Sequence, residues 1–351
     1  MKKKATIVTV HNSENCGSFL QAYAMQFILQ KNGFDTAFLY RSTKGTSHDG
    51  FACLKSIINF LIHFNIRAAI DRLNQWRCYE SVQKKYFKEI REDEEYAKST
   101  DIFILGSDTI WNFEEPYFFA TAKRLLGIPF KGKRIITYAA SVGNTSKTRF
   151  EEVVADNGGL SHIQKFLVRD THTKEVLHDS VNIEAEIVCD PTLLMRAEDY
   201  DSLRIGKTIN EPYLLIYFFG KIPDDVVHTI KDFAFENKLK IVSLMSRRDW
   251  CDIFVPSSPS NMISWYDNAS VVVTNTFHGC AFSLLFQKPF AVYDEGKNKV
   301  KELLKTYNED YRLFKESYEM PKLLNKSCIC MNVINDKAKE SIEMLRSCLL
   351  Q

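Results

Sequence analysis

Short apolar runs alternate with helical patterns along almost the whole chain. The first runs, 5–10 and 35–40, flank a helical pattern from Ser18 to Asn32, with Ser18 predicted as its N-cap and Gly33 as its stop. Each run is apolar at nearly every position, which is typical of strands covered on both faces of a parallel sheet. The pattern therefore predicts an α/β protein with crossover helices.

The predicted strands form two groups. After a charged helical stretch at 52–97, the first group continues at 101–107, 134–141, 165–169 and 185–189. The second group follows a polar linker at 204–212 and lies at 213–219, 240–246, 271–276 and 290–293. We expect two Rossmann-like doubly wound domains, 1–205 with a helical insertion at 52–97 and 206–351, with the site in the cleft between them. The last predicted helix, 336–349, is compatible with packing on either domain.

Composition and charge exclude several classes. The 351 residues are 45% hydrophobic and 26% charged, which is ordinary for a globular protein. The 46 Lys and Arg against 44 Asp and Glu give a net charge of +2, so we expect no nucleic acid partner. Any charge on a substrate must therefore be neutralised by individual side chains at its binding site.

The nine cysteines predict a cytoplasmic protein. Their number is odd, and the single close pair, Cys328 and Cys330, does not have the spacing of a metal or redox motif. Reduced, mostly buried thiols are the simplest interpretation. The apolar run after Lys2–Lys4 is too short for a signal peptide, and the stretch 51–66 is too polar to span a bilayer.

Ligands of open α/β sheets gather at the carboxyl ends of strands, so we searched the residues that follow each predicted strand. The loop 11–17 after the first strand offers Asn15, which donates and accepts, and Gly17, which lets a ligand approach the backbone. It contains no G-x-G-x-x-G, so a dinucleotide site is a weak interpretation. Turn formers are also expected in any loop of this length.

The segment 106–112 places a polar cluster beside an aromatic ring. Ser107, Asp108 and Asn112 offer several hydrogen bonds, and Trp111 offers a large flat face. This combination suits a sugar, whose hydroxyls need hydrogen-bond partners and whose C–H face packs on aromatic rings. The competing interpretation is an ordinary helix cap.

Arg169 ends an apolar strand. A guanidinium in such a place is costly unless it is paired, so Arg169 is expected to meet either an internal carboxylate, Asp170 or Asp190, or an anionic ligand. Both alternatives stay open from the sequence.

The segment 274–280 carries the most chemical information. An apolar strand is followed by three small hydrogen-bonding residues. His278 and Gly279 come next, at the start of an apolar helix. The positive end of the helix dipole favours a neutral imidazole, which is the form that a general base needs. We therefore predict His278 as an acid–base catalyst, with the helix start from Thr276 to Gly279 as an anion nest.

These segments together resemble the polysaccharide pyruvyl transferase family. The resemblance rests on segments in order along the chain, NCGSFLQAYAM at 15–25, GSDTIWN at 106–112, YAASVG at 138–143, VRD at 168–170, DPTLL at 190–194, FHGCAF at 277–282 and KPF at 288–290.

The resemblance implies a GT-B-like pair of Rossmann-type domains, with the acceptor side on the first domain and the donor side on the second. It implies transfer of pyruvate from phosphoenolpyruvate to two hydroxyls of a sugar, as a ketal, in polysaccharide (capsule or exopolysaccharide) biosynthesis. The family's histidine falls on His278 and its strand-end arginine on Arg169. In this scheme Arg169 clamps the donor, Asp108 positions or deprotonates an acceptor hydroxyl, and no metal or cofactor is required.

One position departs from the family pattern. The better-studied branch has an arginine two residues before the histidine, where this chain has Thr276. Arg247 and Arg248, after a strand of the second domain, are candidate replacements by position.

The family also implies partners and location. Its acceptors are often lipid-linked glycans at the inner face of the cytoplasmic membrane, where the stretch 51–66 and its neighbours Arg67, Arg72 and Arg77 suit a peripheral contact. Two alternatives remain: a nucleotide-sugar glycosyltransferase on the same architecture, for which Glu295 is the nearest ribose-binding candidate, and a non-catalytic saccharide-binding member.

Overall fold

A computed structural model describes residues 2–13, 15–41, 50–206, 208–326 and 331–350. The chain divides into two compact units: unit 1 is Met1–Leu194 with Lys337–Gln351, and unit 2 is Met195–Asp336. This division differs from the boundary expected at 205/206. The segment before 206 is held in unit 2, where Ile205 N donates to Ser264 Oγ (3.0 Å) and Arg204 pairs with Asp267 (2.9 Å).

Unit 1 contains a parallel sheet. Its five strands have the order β3-β2-β1-β4-β5, and the pair β6-β7 continues the sheet through bridges from Ile136 to Lys165 and from Ala140 to Val168. The strands are β1 (Lys4–Val8), β2 (Asp35–Leu39), β3 (Glu89–Ile90), β4 (Ile102–Leu105), β5 (Arg134–Thr137), β6 (Leu167–Val168) and β7 (Glu186–Ile187). The helices are α1 (Cys16–Lys31), α2 (Gly50–Ile62), α3 (Ile66–Tyr86), α4 (Glu95–Lys98), α5 (Pro116–Ala120), α6 (Ala122–Leu125), α7 (Lys147–Asp156) and α8 (Thr171–Val181).

Unit 2 repeats this architecture with a six-stranded parallel sheet in the order β10-β9-β8-β11-β12-β13. Its strands are β8 (Tyr213–Tyr217), β9 (Lys240–Leu244), β10 (Ile253–Val255), β11 (Val271–Thr274), β12 (Phe290–Tyr293) and β13 (Leu313–Phe314). Its helices are α9 (Asp224–Glu236), α10 (Pro259–Asn268), α11 (Phe277–Leu285), α12 (Asn298–Thr306) and α13 (Met320–Leu324).

Both sheets reverse their strand order at one point. In unit 1 the reversal lies between β1 and β4, and in unit 2 it lies between β8 and β11. Crossover helices leave opposite faces of the sheet at such a point and open a crevice at the carboxyl ends of the two strands. The loops that the sequence selected after β1, β4 and β11 therefore lie at these two switch points.

Helix α1 begins two residues earlier than predicted. Its N-cap is Asn15, whose Oδ1 accepts from Gly17 N (2.9 Å), and not Ser18, which lies inside the helix. Ser18 Oγ donates instead to Asp108 Oδ2 (2.8 Å). Asparagine is as good an N-cap as serine, which is why the residue type alone did not exclude Ser18.

The last helix, α14 (Met331–Leu350), belongs to unit 1 from Lys337 onward. Ser341 Oγ accepts from Cys189 N (2.9 Å), and the Arg134 guanidinium donates to Cys348 O. The sequence left its position open between the two domains, and these contacts define its packing.

Six cysteines are free thiols: Cys16, Cys53, Cys189, Cys251, Cys280 and Cys348. Cys328 and Cys330 lie outside the described residues. Burial raises the pKa of Cys251 to about 12 and also raises the pKa of Cys280, so both thiols stay protonated. Within the described ranges, no helix is both long and apolar enough to cross a membrane.

Candidate active site

The turn from β11 into α11 is built from threonine hydroxyls. Thr276 is the N-cap, and its Oγ1 accepts from Gly279 N (2.9 Å). Thr274 Oγ1 donates to Tyr217 O (2.6 Å) on β8 and lies 3.0 Å from Thr276 Oγ1. Thr276 and Gly279 were both predicted to bind a ligand. The Thr276 hydroxyl and the Gly279 N–H bind each other and form the turn.

Gly279 is required by packing. A Cβ at this position would lie 2.0 Å from Thr274 Oγ1, 2.6 Å from Thr276 Oγ1 and 2.8 Å from Thr274 Cβ. The hydroxyls occupy the space that a side chain would need, and the Gly279 N–H is bound to Thr276. The Gly279 N–H is thus used within the turn, and the anion nest at this helix start stays a prediction.

Replacing Gly279 by alanine is expected to destabilise unit 2 by about 2–3 kcal/mol, because a well-packed threonine pair must move to admit the methyl group. Chemical denaturation of the full chain measures this change. The matched variant T276A removes the cap without adding a clash and is expected to cost about 1 kcal/mol. A G279A protein as stable as T276A would contradict the packing argument.

His278 lies in the first turn of α11, as predicted, and is buried. Its ring meets the Phe277 ring edge-on, with 5.3 Å between centroids. The imidazole is thus placed at the amino end of a helix, at the switch point of unit 2. Its acid–base role stays a prediction.

Asn275 joins the two strand ends of this switch point. Its Oδ1 accepts from Phe219 N (2.9 Å), and its Nδ2 donates to Phe219 O (2.8 Å). The side chain thereby mimics one rung of a β-ladder just beyond β8 and β11. Sequence reasoning noted Asn275 only as a polar residue after a strand, and it is a structural brace.

Two cations flank this brace. Arg248 Nη2 donates to Phe218 O and Gly220 O (3.0 Å each), which follow β8. Lys297 Nζ donates to Asn275 O (3.2 Å) and pairs with Glu295 (2.5 Å).

Of the two arginines proposed to replace the missing family arginine, Arg248 is the one held at this edge. The guanidinium of Arg247 lies over the Phe254 ring of β10, 4.4 Å from its centroid. Burial lowers the pKa of Arg248, but the group stays a cation because its ordinary value is far above neutrality. Lys297 was not singled out from the sequence. It lies four residues after β12, so a search of the residues that follow this strand could have found it.

The switch point of unit 1 contains an arginine among three carboxylates. The guanidinium of Arg169 lies 3.5 Å from Asp190 Oδ2, 3.8 Å from Asp108 Oδ1 and 4.0 Å from Asp170 Oδ2. Its side chain is 4% exposed. The internal partners that the sequence left open, Asp170 and Asp190, are thus both present, and Asp108 joins them.

Each of these carboxylates also accepts hydrogen bonds from its own turn. Asp108 accepts from Thr109 N (2.7 Å) as well as from Ser18. Asp170 caps α8 through Thr173 N (2.8 Å).

Asp190 accepts from Thr192 N (3.1 Å) and Thr192 Oγ1 (2.8 Å). The three contacts to Arg169 are all longer than the 2.7–2.9 Å typical of a charge-assisted hydrogen bond. The carboxylates therefore orient the guanidinium through charge, while their shorter bonds go to the backbone and to hydroxyls.

Arg41 is a functional candidate that sequence reasoning missed. Its Nη1 donates to Asn12 Oδ1 (2.9 Å), and its guanidinium lies 4.2 Å from the centroid of the Tyr117 ring. Burial lowers its pKa, and the Tyr117 hydroxyl and the Asp108 carboxylate oppose that effect. Arg41 follows β2 by two residues, so the rule used for the other strand ends would have found it.

Trp111 does not face this site. It is fully buried in the hydrophobic core of unit 1, its Nε1 donates to Leu125 O (3.0 Å), and its ring packs against Phe150. The whole indole is enclosed in the core, and the sugar-stacking role expected for it stays a prediction.

Ser107 and Asn112 are also used internally. Ser107 is buried, with its hydroxyl bonded to Gln21 and its carbonyl accepting from Thr9 Oγ1 (2.7 Å). Asn112 Oδ1 accepts from Asn144 N (3.4 Å). Of the predicted group at 106–112, Asp108 is the one that the structure joins to the charged cluster.

Arg169 lies in unit 1, and His278 lies in unit 2. The expectation that the site lies in a cleft between the two domains stays a prediction. No group of three or more His, Cys, Asp or Glu residues arranged to hold a metal occurs in the described part of the chain.

Comparison with known structures defines the class of fold. The UDP-GlcNAc 2-epimerase from Neisseria meningitidis bound to UDP-GlcNAc is similar, with a TM-score of 0.56 at 10% identity over 98% of this chain and 100% of that one. A putative UDP-N-acetylglucosamine 2-epimerase from Listeria monocytogenes gives 0.55 at 9% identity, over 97% and 91%. The epimerase from Methanocaldococcus jannaschii gives 0.53 at 11% identity, over 99% and 100%.

At such identities these similarities show the fold alone, and the protein is an α/β protein of the GT-B class. The family model for polysaccharide pyruvyl transferase matches residues 15–297. The chain belongs to the polysaccharide pyruvyl transferase family, a family of transferases. None of the curated proteins compared matches it significantly.

Proposed function

We propose that the protein transfers pyruvate from phosphoenolpyruvate to two hydroxyls of one sugar in a polysaccharide or its lipid-linked precursor. The observation that carries this proposal is the composition of the unit 2 switch point. His278 at the start of α11 lies there together with Arg248 and Lys297, at the edge of the sheet where β8 and β11 end. Phosphoenolpyruvate is a small molecule with a carboxylate and a phosphate. Two cations beside a helix amino end suit both groups.

The reaction needs acid and base chemistry at neutral pH. One sugar hydroxyl adds to C2 of the enol ester while C3 takes up a proton, and the second hydroxyl then replaces phosphate at C2. The two hydroxyls lose two protons in total. One of them accounts for the proton that C3 takes up to become a methyl group, and the other leaves with phosphate. A single imidazole can accept one proton and return it, which is the role we assign to His278.

Unit 1 provides a carboxylate that suits an acceptor hydroxyl and a guanidinium that suits the donor. We assign Asp108 to position or deprotonate an acceptor hydroxyl, because a carboxylate is a strong acceptor and Ser18 and Arg169 hold this one in place. Arg169 is assigned as a clamp for the donor. The carboxylates at 3.5–4.0 Å keep its planar guanidinium oriented before any ligand arrives.

The test is phosphate release from phosphoenolpyruvate with a panel of galactosides, glucosides and mannosides. Release that depends on one class of sugar, with a ketal in the product, is the expected result. The variant R248Q is expected to raise the KM for phosphoenolpyruvate about tenfold, from the loss of one charged hydrogen-bonding group, and to leave the sugar KM unchanged. K238Q, on the exposed turn after α9, is the matched control.

Two other results would replace the proposal. A thermal shift with UDP or GDP sugars but not with phosphoenolpyruvate would indicate a glycosyltransferase. Tight binding of phosphoenolpyruvate without turnover on any sugar would indicate a non-catalytic binding protein.

A further inference from the structure

The helical hairpin formed by α2 and α3 in unit 1 exposes an unusual amount of apolar surface. Of the fifteen large hydrophobic side chains that are exposed in the described part of the chain, seven lie between residues 54 and 70. Phe64, in the turn between the two helices, is 91% exposed. Monomeric soluble proteins rarely expose so many apolar side chains together without a binding role.

The exposed side chains lie on one side of each helix. Leu54, Ile58 and Leu61 follow one another at helical spacing on α2, and Ile66 and Ile70 do so on α3. Because the two helices pack on each other and are joined by three residues, these rows converge on the turn that carries Phe64. The result is an apolar tip.

The same hairpin carries an excess of positive charge. Residues 50–86 contain six Lys or Arg and two Asp or Glu, a net charge of +4, whereas the whole chain carries only +2. Lys55 and Arg67, next in sequence to the apolar rows, are both exposed. The near-neutral total therefore conceals a local basic patch.

We propose that the α2–α3 hairpin docks on an anionic lipid surface, with the Phe64 tip inserted at the level of the headgroups. Apolar side chains flanked by Lys and Arg are the combination that interfacial helices use, since burial of the tip and attraction to acidic lipids act together. A second copy of this chain suits the patch less well, because it would bring two such charges of +4 together. The proposal does not depend on the reaction assigned above.

Flotation of the full chain with vesicles of phosphatidylcholine, with and without phosphatidylglycerol, tests the proposal. We expect binding to the mixed vesicles that weakens in high salt. Replacing Phe64 by serine is expected to weaken binding about tenfold or more, because a large apolar side chain is removed from the interface. K55E/R67E is expected to remove the preference for anionic lipid.

The control is Phe235→Ser, which removes an equally exposed aromatic residue (87%) from α9 in unit 2 and should leave binding unchanged. Phe64 is nearly fully exposed, so F64S is expected to fold, and circular dichroism checks this. Absence of binding to mixed vesicles, or equal binding by F64S, would overturn the proposal. A lipid-free dimer that F64S abolishes would do the same and would assign the patch to a second copy.

Discussion

The H278Q protein is expected to release phosphate from phosphoenolpyruvate about 10²–10⁴ times more slowly than the wild type in the presence of acceptor, because an acid–base group contributes a factor of this size. Glutamine keeps a hydrogen-bonding group of similar reach but does not titrate. The expected loss is in kcat, since binding of the donor is assigned to cations. Steady-state kinetics with a coupled phosphate assay measure both constants.

The matched control is H228Q. His228 lies exposed on α9 of the same unit and should leave kcat unchanged. Because His278 is buried, the melting temperature of H278Q is measured beside its kinetics. If H278Q keeps more than about a tenth of the wild-type kcat, His278 is not the acid–base group.

The R169M protein is expected to lose about 3–5 kcal/mol of stability, because it leaves Asp190, whose side chain is fully buried, without its cation. The lysine variant R169K should restore most of this stability, since it keeps the charge. It should not restore the KM for phosphoenolpyruvate, because an ammonium group lacks the planar pair of donors that bind a carboxylate. Denaturation and steady-state kinetics on the same preparations separate the two roles.

R149M is the control for this pair. Arg149 pairs with Glu152 at 3.6 Å on the surface of α7, and such pairs contribute about 1 kcal/mol or less. R169K with a wild-type KM for phosphoenolpyruvate would leave Arg169 a purely structural role. Stability of R169M within about 1 kcal/mol of wild type would show that the carboxylates do not need this cation.

Most strands could be predicted from the sequence because central strands of a parallel sheet are apolar at nearly every position. The prediction placed β12 at its observed bounds, Phe290–Tyr293. Strands β3, β10 and β13 were missed, since two or three residues at or near a sheet edge carry no distinctive pattern. Their pairing is decided by neighbours far away in sequence.

The candidate site was predictable in location but not in detail. Polar residues after strands identified both switch points, because parallel strands present their carboxyl ends at one edge. Sequence spacing does not tell whether a side chain turns toward that edge or into the core, and Trp111 turns into the core, where Leu125 O satisfies its N–H. Asp108 follows β4 and Arg169 follows β6, and β5 lies between these two strands. No local sequence pattern predicts that the two side chains lie close together.

The final helix returns to unit 1 although it follows unit 2 in the sequence. Because α14 completes unit 1, the residues that form unit 2 are a single uninterrupted insert, while unit 1 is assembled from the segments before and after that insert. A ribosome finishes unit 2 before the last piece of unit 1 has emerged. A premature stop or a proteolytic cut near the carboxyl end would therefore damage the first-made half of the protein, where Arg346 holds Asn32 (3.0 Å), and leave the later half intact.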